Sequence, residues 1–245
     1  KFVTFDYSQI ELRIAAFLSG DEKLIEIFKS GGDIHEAVAS QVFGVSREKV
    51  DREMRRRAKV INFGILYGMG VNALRANLNT SATKDAPVTR EEAQHFFDEY
   101  FHTFTSLAQY LEEVKSYARK TGYTETFFGR RRYFPNIKSR LPYIAASSGR
   151  MAINAPIQGT SADVIKLAMI RIHEYIKKSH LESDVFLLLQ VHDELVFEIR
   201  ENVVKKVLPE LEQIMQTILT PEQMHGVPLK VNGKIGDNWG ETEGV

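Results

Sequence analysis

The chain has 245 residues, and its 32 lysines plus arginines balance 32 aspartates plus glutamates, so net charge neither predicts nor excludes a polyanionic partner. A hydrophobic content of 43% is that of a globular protein with a real core, in one large domain or two smaller ones. The absence of cysteine excludes disulfides and thiolate metal sites and fits a reducing, cytoplasmic setting; no signal peptide opens the chain, and no apolar run approaches the roughly 20 residues that cross a bilayer.

The first residue is Lys1, inside the apolar run KFVTFD, which reads as a piece of something longer with residues 2–6 as a strand. Gln9 to Leu18 follow as an amphipathic helix ending near Ser19-Gly20, which puts Asp6 at a strand-to-helix junction. From 21 to 146 the pattern is mostly helical, with helices predicted over 21–29, 34–43, 51–68, 89–120 and 141–148. The stretch NTSATKDAPVT, 79–89, is rich in turn formers and reads as an exposed loop, with Thr89 capping the next helix. Another long helix is predicted over 149–178, bent or interrupted at Pro156 and Gly159. The texture then changes. DVFLLLQVHDELVFEIR, 184–200, holds two β-rich runs around the triplet His192-Asp193-Glu194, a hairpin with acids at its tip. A helix over 202–219 and a last strand within VPLKVNGKIGDNW complete the chain.

Within RRRAKVINFGILYG the side chains Arg55, Lys59, Phe63 and Tyr67 recur every four residues and so share one helix face. Two cations followed by two rings suit a phosphate tail followed by a flat base. The alternative is a half-buried helix whose rings pack into a core while its cations point outward. Basic residues cluster locally at Arg52, Arg55, Arg56, Arg57 and Lys59 and at Arg130 to Arg132, and a local positive face can bind phosphates on a neutral protein.

Asp6, at a strand end, and Asp193, at a hairpin tip, are the acids of most interest. Such places hold hard oxygen ligands at fixed separation, and Mg²⁺ takes one or two carboxylates while leaving positions for substrate phosphates. Singly, each is more often a turn residue or a helix cap; the case for a metal pair rests on their joint occurrence.

DYSQIELR at 6–13, RRRAKVINFGILYG at 55–68 and QVHDELVF at 190–197 resemble, in order, motifs A, B and C of family A DNA polymerases. RMAINAPIQGTSADVIK at 150–166 is similar to the helix of that family which tracks template and primer, and DIHEAVASQVFGV at 33–45 looks like part of its fingers. The resemblance runs from the first residue to the DNW near the C-terminus.

The resemblance implies template-directed addition of deoxynucleotides to a primer 3′ end, with release of pyrophosphate. It implies two Mg²⁺ ions, with Mn²⁺ able to substitute, held by Asp6, Asp193 and the backbone carbonyl of Tyr7, with Glu194 supporting the primer end. Arg55, Lys59 and His35 would contact the triphosphate, Lys59 also donating a proton to pyrophosphate. Phe63 would stack on the incoming nucleotide and Tyr67 close the pocket. Glu11 would act as a steric gate against ribose, and Gln9 joins the substrate-binding set. Phenylalanine rather than tyrosine at 63 implies discrimination against dideoxynucleotides, which a Phe63→Tyr variant should relax. Arg150, Asn154 and Gln158, at four-residue spacing, would reach the minor groove and backbone of the template-primer, where donors and acceptors barely differ between base pairs. His192 would touch the primer-terminal phosphate. A purely structural role remains open for Asn154, as a cap or mend near Pro156, and Arg130 to Arg132 divide evenly between DNA contact and a solvated loop.

The expected fold is α/β in the loose, α+β sense: a palm with a small antiparallel sheet built from both ends of the chain (1–19 and 147–245) around a helical fingers insertion (20–146), without the thumb. Fingers closure would carry the Arg55 to Tyr67 stripe toward the aspartates. The expected partners are template-primer DNA and deoxynucleoside triphosphates, with the protein a monomer away from membranes. Two other readings compete: a DNA- or nucleotide-binding fragment without independent turnover, and a metal-dependent nuclease.

Overall fold

A computed structural model describes residues 1–80 and 87–244. In chain order they form β1 (Phe2–Tyr7), α1 (Ile10–Ser19), α2 (Glu22–Lys29), α3 (Ile34–Val42), a 3-10 turn (Arg47–Lys49), α4 (Arg52–Leu66), α5 (Val71–Thr80), α6 (Arg90–Thr103), α7 (Thr105–Thr121), β2 (Tyr123–Glu125), β3 (Arg131–Tyr133), α8 (Pro142–Lys178), β4 (Val185–Val191), β5 (Glu194–Ile199), α9 (Glu201–Gln216), β6 (Val231–Gly236) and β7 (Thr242–Gly244). They divide into two units, residues 1–14 with 160–245 and residues 15–159. The division falls inside α1 and α8, whereas the sequence pattern suggested boundaries at 19/20 and 146/147.

The first unit is built on a five-stranded sheet in the order β4-β5-β1-β6-β7, every pairing antiparallel. As expected from sequence, the sheet draws strands from both ends of the chain. Strand alternation explains its two faces: Val3, Phe5 and Tyr7 are buried on one, while Asp6 shares the other with Thr4. Phe5 meets Phe197 edge-on at 6.0 Å between ring centres, and the Tyr7 hydroxyl donates to the Met215 carbonyl at 2.8 Å. Buried Val204, Val207, Leu211 and Met215 give α9 one apolar face.

The second unit is helical, and its helix starts follow capping chemistry. Asp21, Asp33 and Asp51 accept backbone N–H bonds at the starts of α2, α3 and α4, and Thr89 with Glu92 forms a reciprocal capping box on α6. Residues 81–86 of the predicted 79–89 loop lie outside the described residues. Asn79 and Val88 flank them and exchange two hydrogen bonds, of 3.1 and 2.7 Å.

Four expectations are corrected. The helix predicted over 89–120 is two helices, α6 and α7, separated at buried Phe104, whose φ of −111° and ψ of 67° are not helical. No glycine or proline marks that break. Asp21 Oδ2 takes the N–H groups of Ser106 and Leu107, so a distant carboxylate caps α7. Next, the helices predicted over 141–148 and 149–178 are the single helix α8, with Pro156 inside it. Proline costs a helix one N–H and crowds the preceding turn, but packing on buried Ala152, Ala155 and Ile157 keeps it continuous. Third, the segment predicted helical over 51–68 ends at Leu66, and α5 starts separately at Val71. Last, the hairpin β2–β3 interrupts the mostly helical region; Gly122, at φ 85°, ends α7 and allows the turn into it.

Candidate functional site

In the first unit, β1 and β5 set the acids by register. Asp6 lies directly opposite Glu194, and the Tyr7 N–H donates to the Asp193 carbonyl at 3.1 Å. Asp193 occupies the two-residue turn between β4 and β5 while Glu194 already begins β5, so only one acid is at the tip. His192, the other turn residue, has φ 52°, and Gln9, between β1 and α1, has φ 54°. Left-handed backbone at a residue with a β-carbon is mildly strained, and here it marks two turns, one just after Asp6 and one just before Asp193 in sequence.

Asp6 is half-buried and its carboxyl is pushed up to about 6. Burial is the main cause, followed by the charge of Asp193, a side-chain hydrogen bond with Asp193 and the charge of Glu194, while Lys234 opposes the rise. The like charge of Asp193 beside Asp6 makes this a place where a cation would serve both carboxylates. Among the described residues no group of three or more His, Cys, Asp or Glu side chains is arranged to bind a metal. The donors on offer are carboxylate oxygens, with Tyr7 able to contribute only its backbone because its ring is buried on the opposite sheet face. That set fits Mg²⁺, which takes few protein ligands, and does not fit a structural zinc site. Glu11 and Gln9 are half-buried beside this junction in sequence.

In the second unit α4 turns Ala58, Ile61, Asn62, Ile65 and Leu66 inward. Arg55 and Lys59 are exposed, and Phe63 and Tyr67 are half-buried, so the four-residue stripe does lie on the outer side of the helix. The Phe63 and Tyr67 rings stack with centres 6.0 Å apart and 28° between planes, and His35 tilts against Phe63 at 5.8 Å. Arg55 Nε donates to Asp33 Oδ2 at 2.6 Å, whereas Lys59 has no ion-pair partner among the described residues. His35 is only 3% exposed, and burial pushes its ring down to about 4, with Arg55 and Lys59 adding to the fall and Asp33 opposing it. It is a neutral donor or acceptor, not a cation.

On α8, Arg150 and Gln158 are exposed and Asn154 is half-buried. Asn154 Nδ2 donates to the Tyr67 carbonyl at 3.2 Å, which ties α8 to the end of α4. Gly68 there has φ 73°, and a β-carbon on it would come within 3.1 Å of Arg150. The Arg130 to Arg132 cluster is engaged within the unit: Arg130 reaches the Gly159 carbonyl at 3.0 Å, Arg131 pairs with Glu125 at 2.6 Å and lies over the Tyr123 ring, and Arg132 lies over Phe134.

Sequence reasoning missed Asp33, Asn62 and Lys234. Asp33 was legible as an N-cap before an apolar run, but its second oxygen's bond to Arg55 was not. Asn62 interrupts the buried side of α4, and a polar residue at a core position was the available signal. Lys234 becomes relevant only through strand pairing.

The fold has a solved counterpart. The POL domain of Pol1 from M. smegmatis, in complex with DNA primer-template and dNTP, matches with a TM-score of 0.88 and 40% identity, covering 97% of this chain and 40% of that one. A small antiparallel sheet carrying the acid-bearing hairpin, joined to a helical unit, is thus the α/β architecture of a polymerase domain. The chain belongs to DNA polymerase family A, whose description matches residues 1–241. It is 42% identical over 242 residues to DNA polymerase I of Rhizobium leguminosarum, covering 99% of this chain and 23% of that protein. It is 43% identical over 237 residues to the thermostable DNA polymerase I of Thermus aquaticus, covering 97% of this chain and 27% of that one. The chain therefore spans about a quarter of the length of these relatives. No helix among the described residues is long and apolar enough to cross a membrane.

Proposed function

We propose that this chain carries the palm and fingers chemistry of template-directed DNA synthesis, transferring a deoxynucleotide from its triphosphate to a primer 3′-hydroxyl. The observation that carries the reading is the approach of Asp193 to Asp6, which raises the Asp6 carboxyl together with burial, with Glu194 set opposite Asp6 by strand register. The sheet-bearing unit is read as palm and the helical unit as fingers.

Asp6 and Asp193, with the Tyr7 carbonyl, are the residues that would hold divalent metal. When bound, two such ions lower the pKa of the primer hydroxyl and stabilise charge on the leaving pyrophosphate. Glu194 would support the primer end and His192 its terminal phosphate. Arg55 and Lys59 would bind the triphosphate electrostatically, and Lys59 would hand a proton to the departing pyrophosphate oxygen. His35 would add a neutral hydrogen bond. The stacked Phe63 and Tyr67 rings would support a base without choosing it, leaving selection to pairing and pocket shape. Glu11 would crowd a ribose 2′-hydroxyl, with Gln9 beside it, and Phe63 would leave dideoxynucleotides discriminated against. Arg150, Asn154 and Gln158 would contact template-primer DNA; the tie from Asn154 to Tyr67 makes its structural role concrete. A monomeric, cytoplasmic enzyme is part of the same reading.

The second reading is a DNA- or nucleotide-binding fragment without independent turnover. Extension of a labelled primer with Mg²⁺ and deoxynucleotides, compared with Asp193→Ala, separates them. Extension lost in the variant supports the polymerase reading. No extension but retained triphosphate or duplex binding supports the fragment, and primer shortening would point to a nuclease.

A further inference from the structure

Asn62, which the proposed chemistry leaves unused, forms a buried polar pair with His35. Asn62 is fully buried on the inner side of α4, and its Nδ2 lies 3.1 Å from His35 Nδ1. Its Oδ1 has no partner among the described residues. A buried amide with an unsatisfied oxygen is costly where an apolar residue would pack freely, so its presence calls for a role.

We propose that Asn62 is a positioning residue for nucleotide binding: its amide locks His35 in the tautomer protonated at Nε2, so that a neutral ring presents an N–H donor to a phosphate. The functional half of this rests on the reading that His35 meets the triphosphate. An amide nitrogen only donates, so Nδ1 must accept, and the single proton of a neutral imidazole must then sit on Nε2. An imidazolium would set two N–H groups against each other. The groups whose charges act on the ring are Asp33, at the start of α3, and Arg55 and Lys59, on α4; burial outweighs Asp33 and keeps the ring neutral. A donor without charge suits a surface that already carries two cations, because it adds a hydrogen bond without adding repulsion.

The test is a long-range ¹H–¹⁵N correlation spectrum of the labelled chain, which distinguishes the tautomers directly. Protonation at Nε2 is expected, and protonation at Nδ1 would overturn the proposal; this spectrum decides even if no variant folds. In Asn62→Asp the introduced carboxylate can only accept, so the proton moves to Nδ1 and the Nε2 lone pair faces the phosphate. Relative to the parent chain at the same pH, the affinity of that variant for Mg²⁺–deoxynucleotide should be about tenfold lower near pH 8 and partly recovered near pH 6 as the ring takes a second proton. An unchanged tautomer, or a loss that does not depend on pH, refutes the proposal. His35→Ala that binds nucleotide as well as the parent chain would overturn the phosphate contact while leaving the tautomer assignment standing.

Discussion

Asp33 and Arg55 are joined at 2.6 Å, carboxylate Oδ2 to guanidinium Nε, while the other oxygen of Asp33 caps α3 through the His35 and Glu36 N–H groups. Burial alone would raise this carboxyl, but the hydrogen bonds from Arg55 and from the His35 N–H hold it below the usual range. Because Asp33 takes Nε, the bond leaves the terminal nitrogens of Arg55 pointing elsewhere, in the fork that binds phosphate. Asp33→Asn keeps a cap and weakens the tether. Its nucleotide KM should rise several-fold to about tenfold with little change in Tm; steady-state kinetics that leave KM unchanged would remove Asp33 from the site.

The acid pair should make stability depend on pH and metal. Asp6 titrates at about 6 in the folded chain, above its unfolded value of roughly 4. Its protonated form is therefore favoured by folding, and that stability, fully present below the unfolded value, is lost as pH rises through about 6. Mg²⁺ should restore Tm above pH 6 and do little well below it, and Asp6→Asn should abolish both trends. Thermal melts with and without Mg²⁺ across this range check it.

His35 has the opposite sign. Its folded value of about 4 lies below the unfolded value of roughly 6.5, so its contribution is present above 6.5 and disappears as pH falls toward 4. His35→Gln should flatten that acid limb of the stability curve, an effect of order 1–3 kcal/mol, readable from denaturant titrations at several pH values.

Asp21 is only 3% exposed and caps two helices at once, accepting from Leu24 at the start of α2 and from Ser106 and Leu107 at the start of α7. Asp21→Ala removes all three bonds and should cost about 2–3 kcal/mol. Hydrogen exchange should show the first turns of both helices losing protection together; loss at α2 alone would mean that α7 does not depend on this carboxylate.

His192 trades stability for position. At φ 52° it sits where glycine is relaxed, so His192→Gly should stabilise the chain by up to about 1 kcal/mol. If its ring touches the primer, the same variant extends primers more slowly, and a variant both more stable and fully active would deny the side chain any role.

Much of the fold was legible because it obeys local rules. β1, α1 and the β4–β5 hairpin follow from strand alternation, helix periodicity and a short polar turn, and Thr89 was readable as a cap. What failed had no local marker. The break at Phe104 depends on a carboxylate more than eighty residues away in sequence, by the spacing of Asp21 and Leu107. The continuity of α8 through Pro156 depends on packing that outweighs one lost hydrogen bond, and β2–β3 is too short to show a period.

The sequence by itself determined the family and which residue types share a face or a junction. The four-residue stripe from Arg55 to Tyr67 and the aspartates at strand ends are set by helix and strand geometry alone, and family membership follows from motifs written in the same residues. Only the tertiary structure decided how those groups behave. Burial and the approach of Asp193 raised the Asp6 carboxyl, with Glu194, set opposite it by strand register, adding to the rise, while burial made His35 neutral and gave it Asn62 as a partner. The physical reason is that charge state and hydrogen-bond polarity depend on solvent exclusion and on neighbours distant in sequence, and neither is encoded in the spacing of residues along one element.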